Sequence, residues 1–108
     1  MITVFGGYGG YNSGYLSSVE SLNPLKTDSD CPTINNLPAG RDAHIAQIIN
    51  GKSIVCGGAT SSGNEKSCLK YEAGTWSNTK PMTQARYYAT SILQDDGSIF
   101  ITGGEGGT

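Results

Sequence analysis

The chain has 108 residues, a formal net charge of −2 and 15% charged residues, a length that suits one domain with a core of its own. Its seven Lys and Arg are scattered singly, which excludes the basic stripe that nucleic-acid binding requires. No apolar run approaches the roughly 20 residues that cross a bilayer, and the opening MITVFGG lacks the charged and apolar regions of a secretory leader.

Glycine is the anomaly. There are 16, about twice the average share, and they fall at recurring places between short apolar runs, the pattern of an all-β chain rather than a disordered one. In chain order, ITVFGG (residues 2–7) is a strand ended by a glycine doublet, followed by the loop GGYGGYNSGY. SVESLNP (18–24) and CPTINNLP (31–38) are two further strand segments. AHIAQIIN and KSIVCGG then flank Asn50 and Gly51, the dipeptide preferred in a type I′ hairpin turn because both central residues take φ > 0. After the loop GGATSSGNEKS come SCLKYEAG (67–74), alternating as a strand does, and a segment opened by Trp76. Finally YYATSILQD and SIFITGG flank Asp96 and Gly97, which supply the same turn chemistry.

These elements repeat. Doublets stand at Gly6 and Gly7, Gly57 and Gly58, and Gly103 and Gly104, with spacings of 51 and 46. LPAGRDAH (37–44) aligns with MTQARYYA (82–89), which sets Arg41 on Arg86. A period near 50 with about four strands per period signals a propeller-type repeat. The chain divides into residues 1–58, holding strands b, c, d and then a, b of the next sheet, and residues 59–108, holding c, d and then a, b. The glycines act as hinges where the second strand must leave its sheet abruptly. A phosphate loop is excluded, since no Lys-Ser/Thr pair follows GGYGGYNSG.

With the doublets, the arginines, and Tyr71 spaced before Trp76, the sequence resembles the kelch-repeat β-propeller family over essentially its whole length. It departs from the pattern in the first unit, where Leu22 stands in place of the aromatic and no Trp follows. The resemblance implies an all-β chain of kelch-type, four-stranded antiparallel blades, about two per chain. Kelch rings usually need about six blades to close. The implied assemblies are therefore a trimer of this chain or the remainder of a longer propeller.

Cys56 and Cys68 lie on strands expected to be antiparallel neighbours; they are either a disulfide or two buried thiols. Cysteines in these two strands of similar extracellular kelch-like proteins favour the disulfide, and with it an extracellular rather than cytoplasmic location. Cys31 is then left over. No CxxC or CxxH spacing marks a metal site, and no cofactor is implied. His44, the one histidine, has no nucleophile in a recognisable motif and reads as a structural hydrogen-bonding residue. Arg41 and Arg86 either bind an anion or satisfy backbone carbonyls, the second being the better reading. Tyr71 and Trp76 read as core. Tyr8, Tyr11 and Tyr15 sit in a Gly/Ser-rich loop with the composition of adaptable binding loops, against the plainer reading of a soluble loop. The functional expectation is a non-enzymatic protein-interaction scaffold that meets its partner through the loops after the doublets. The alternatives are the scaffold of a copper oxidase resembling galactose oxidase and a purely structural self-assembling propeller.

Overall fold

The computed structural model describes residues 2–11, 14–22, 25 and 34–106. Cys31 lies outside them. The fold is all-β, with no helix among the described residues. Strands β1 (Ile2–Tyr8) and β2 (Tyr15–Leu22) form an antiparallel hairpin with a bulge between Phe5 and Gly7. Strands β3 (Ile45–Ile49) and β4 (Lys52–Cys56) follow, then the small β5 (Ala59–Thr60) and β6 (Gly63–Asn64), then β7 (Cys68–Glu72) and β8 (Thr75–Thr79). The chain continues with β9 (Arg86–Tyr87), the hairpin β10 (Thr90–Leu93) and β11 (Ile99–Thr102), and β12 (Glu105–Gly106), which pairs with β9. Strands β3, β4, β7 and β8 make one four-stranded antiparallel meander, and each of the other sheets has two strands.

The meander lies between the two longer hairpins, and strand alternation explains how. Val55 and Leu69, paired across β4 and β7, point to one face and join Val19 of β2 and Leu37 in a buried cluster with Phe5, Ile34 and Trp76 around it. The next residues along, Cys56 and Cys68, point the other way. With Ile45 they form a second cluster that is closed by Ile54, Met82, Ala89 and, from β11, Ile101. Each face of the meander thus carries its own core.

Trp76 anchors the first cluster. Its ring packs edge-on against Phe5 at 6.1 Å and tilted against Tyr71 at 5.0 Å, while its Nε1–H donates to the Asn35 carbonyl at 2.9 Å. Tyr71 and Trp76 are therefore packing residues. In the first unit the expected strand over residues 31–38 has no strand among its described residues 34–38. That stretch is instead tied beside β2 by the Leu37 N–H to the Ser17 carbonyl at 2.7 Å.

The two turns expected to match differ. Asn50 and Gly51 both take positive φ, at 50° and 77°, as a two-residue I′ turn requires. At the second hairpin only Gly97 does so, at 86°. Gln94 and Ser98 close a three-residue loop through the Gln94 N–H to the Ser98 carbonyl at 2.8 Å and the Gly97 N–H to the Gln94 carbonyl at 3.0 Å. Asp96 is held instead as an acceptor, its Oδ1 taking the Ser98 N–H at 2.9 Å and Oγ–H at 2.6 Å. An Asp side chain that bonds its own backbone two residues on stabilises this turn without a left-handed φ. The loop is one residue longer than its counterpart, which is why Arg86 stands 45 residues after Arg41 but Gly103 stands 46 after Gly57.

Candidate functional site

The arginines and glycine doublets come together at one end of the molecule. Arg41 is 3% exposed, and its Nη1–H donates to the Gly57 carbonyl at 3.0 Å. Its own carbonyl accepts the Gly7 N–H of the preceding doublet at 2.7 Å. Arg86 repeats both contacts one unit later: its Nη1–H donates to the Gly103 carbonyl at 2.8 Å, and its carbonyl accepts the Gly58 N–H at 2.8 Å. Gly7, Arg41, the Gly57 doublet, Arg86 and Gly103 thereby form one series of bonds that runs from the β1–β2 hairpin past the four-stranded meander to the β10–β11 hairpin. Both arginines thus donate to backbone carbonyls. Burial lowers the proton affinity of Arg41, and Glu65 opposes that effect in part.

This bonding requires glycine. Gly58 takes φ = 96°, and a Cβ there would lie 2.6 Å from the Asp42 carbonyl oxygen and 2.9 Å from His44 Cβ. Gly57 takes φ = 68°, and its Cβ would lie 2.6 Å from the Arg86 carbonyl oxygen. The sheets approach too closely here for any side chain, so the doublets are contact points between sheets as well as hinges.

His44 fills the space between two doublets, with its Cε1 beside Gly6 and its Cβ beside Gly58. Among the described residues its Nδ1 and Arg41 Nε are buried without a hydrogen-bond partner. Burial, then the nearby Arg41 charge, lowers the His44 pKa below the usual 6.5; a bond with the Phe5 backbone and the charge of Asp42 oppose the shift. His44 is therefore a half-buried spacer whose neutral form is favoured by burial. No group of three His, Cys, Asp or Glu converges on a metal site among the described residues.

The tyrosines share this end. Tyr8 and Tyr15 stack edge to face at 5.4 Å across the first hairpin, both on its exposed side, and Tyr11 at the tip is fully exposed. Tyr88, which sequence reasoning passed over, is 69% exposed and packs against Tyr87 at 5.3 Å. The Tyr87 hydroxyl lies beside the Glu105 carboxylate, which holds its pKa above the usual 10. Tyr88 takes φ = 59°, and Ala43, its counterpart one unit earlier, takes 55°. A left-handed conformation at a bulky residue is uncommon, and here the Tyr88 N–H bond to the Ala43 carbonyl at 3.0 Å fixes it. The alignment of Tyr88 with Ala43 was legible, but nothing in either residue type announces a positive φ.

No protein-family model matches this chain, and no curated protein does either. Its reading rests on its own geometry. An open groove of about 680 Å³ runs between residues 64–66 and 83–85, lined by Asn64, Glu65, Lys66, Thr83 and Gln84. Cys56 and Cys68 lie just below the doublet, bonded as a disulfide with their Cα atoms 4.1 Å apart. They stand directly opposite each other in the β4–β7 register, flanked by the Gly57 N–H bond to the Ser67 carbonyl. The crosslink thus fixes the root of the loop spanning residues 57–67.

Proposed function

We propose that this protein is a non-catalytic, kelch-type interaction scaffold that meets a protein partner through its glycine-doublet end. The observation that carries the reading is the gathering of Tyr8, Tyr11, Tyr15 and Tyr88, all exposed, at the end where the doublets and arginines lock the sheets together. Tyrosine offers a large, amphipathic contact area at a low entropic cost, and a rigid frame beneath it lowers the cost of binding further. The kelch reading is supported by the four-stranded meander and by an Arg–Gly bond that recurs at equivalent positions. In the full assembly the meander is one blade, and the two hairpins belong to the blades on either side.

The test compares the proteins retained by the immobilised chain with those retained by the double variant Tyr11→Ser, Tyr88→Ser, after matched melting curves show that both are folded. A partner bound by the parent chain is expected to be lost by about tenfold or more, the scale of removing an aromatic hot spot. Retention of the same partner at the same level would overturn the assignment of this end.

A further inference from the structure

We propose that the groove between residues 64–66 and 83–85 is a binding site for a neutral saccharide. Each unit carries a three-residue arch pinned at both ends by backbone bonds to the chain beneath it. In the first unit, residues 38–40 span from the Leu37 N–H bond with the Ser17 carbonyl, at 2.7 Å, to the Arg41 N–H bond with the Leu16 carbonyl, at 3.1 Å. In the second, residues 83–85 span from the Met82 N–H bond with the Lys66 carbonyl, at 2.9 Å, to the Arg86 N–H bond with the Glu65 carbonyl, at 3.3 Å. The frame is shared, and the last residue of the arch sets the space below it. Gly40 lies so close to Tyr15 that a Cβ would overlap the Tyr15 carbonyl. Its counterpart is Ala85, whose methyl group cannot come that near. The second arch therefore stands off, and the groove of about 680 Å³ lies along it. Gly106 widens it further, because its counterpart Thr60 carries a buried side chain and Gly106 carries none. In the repeat, the residues after Thr60 turn back on themselves through exposed Ser61 and Ser62 into β6, so both walls of the groove belong to one unit.

The lining selects the ligand. Glu65 and Lys66 contribute one charge of each sign, so the groove has neither the carboxylates a hard cation requires nor the cationic cluster an anion requires. Asn64, Thr83 and Gln84 add two side-chain amides and a hydroxyl, each able to donate and to accept. The Glu65 carboxylate is steadied through one oxygen by the Ser67 hydroxyl at 3.1 Å. The carbonyls of Glu65 and Lys66 are already bonded to the arch, so a peptide meets no backbone ladder there. No aromatic or branched aliphatic side chain lines the groove among the described residues. A balanced set of side-chain donors and acceptors suits a ligand whose neighbouring hydroxyls each do both. The volume lies in the range of small-molecule sites, and the site uses none of the tyrosines assigned above to a protein partner.

The probes are maltotriose and cellotriose, neutral trisaccharides of different linkage, titrated onto the full chain while the side-chain amide signals of Asn64 and Gln84 are followed by NMR. The expected result is a saturable shift of both amides with at least one of the sugars, at a millimolar dissociation constant. Affinity should fall about tenfold or more in Ala85→Leu, which fills the groove from the arch, and in the double variant Thr83→Val, Gln84→Leu, which removes hydrogen-bonding groups from its wall. Matched melting curves show which variants are folded, and either one alone decides the point. The absence of a saturable shift with both sugars would overturn the proposal. Undiminished binding by a folded variant would do the same, as would triglycine moving the same two amides as strongly.

Discussion

Reducing the Cys56–Cys68 bond isolates one contribution to stability. The two cysteines are 12 residues apart in sequence and directly opposed in register, and their side chains are packed with Ile45 in a buried cluster. Reduction leaves both sulfur atoms in that environment, so the main change is the freedom regained by the unfolded chain. Chain-entropy arithmetic for a loop of this size gives a loss of about 3 kcal/mol at 25 °C. With a urea dependence of roughly 1.5 kcal/mol per molar, in the range for small domains, the unfolding midpoint should fall by about 2 M. The fluorescence of Trp76, the single tryptophan, wedged between Phe5 and Tyr71, reports the transition. The measurement compares oxidised protein with protein held in a phosphine reductant, with thiols counted under denaturing conditions to establish complete reduction. A midpoint shift below about 0.5 M with an unchanged slope would refute the reasoning, because the crosslink would then not be limiting the unfolded chain.

Two further outcomes follow from the doublet end. Gly57→Ala should cost about 3 kcal/mol, since the added methyl meets a backbone oxygen at 2.6 Å as well as a left-handed φ; Gly103→Ala, left-handed at 69° but with open space around it, should cost about 1 kcal/mol by the same urea titration. His44 binds a proton less readily in the folded chain than in the unfolded one, so the stability it contributes is present above its usual pKa of 6.5 and is lost as the pH falls below it. Urea midpoints measured between pH 7.5 and 5 should therefore fall more steeply for the parent than for His44→Asn. Glu72, held low by Lys52 and Lys70, and Asp96, held low by Ser98, lose their contributions only at more acid pH.

What the sequence made legible was the local chemistry. Asn50 and Gly51 named their turn, the alternation of SCLKYEAG named β7, and the doublets marked where β4 and β11 end, whereas Gly6 and Gly7, expected to end the first strand, lie within β1 at its bulge. The alignment of Arg41 with Arg86 carried real structural content, because both donate to the carbonyl of the doublet's first glycine. Three features were not legible. An Asp-Gly pair serves a two- or a three-residue loop, and the choice at residues 94–98 rests on the bonds of Asp96 to Ser98. Left-handed φ at Tyr88 and Ala43 comes from bonding between neighbouring units, which no local residue preference records. The close approach at Gly57 and Gly58 involves carbonyls 29 and 16 residues away, those of Arg86 and Asp42. Turn chemistry explains why glycine is permitted there; only the contact explains why nothing else is.

The extra residue in the loop of residues 95–97 shows where this architecture absorbs change. It lies at the far end of its hairpin, and the doublet end meets its arginine all the same, at 2.8 Å in the longer unit and 3.0 Å in the shorter. One pole of the molecule therefore keeps a fixed phase from unit to unit while the other is free to vary in length. New sequence can be written at the turns without retiming the repeat, and the pole that holds the phase is also the one that presents the tyrosines.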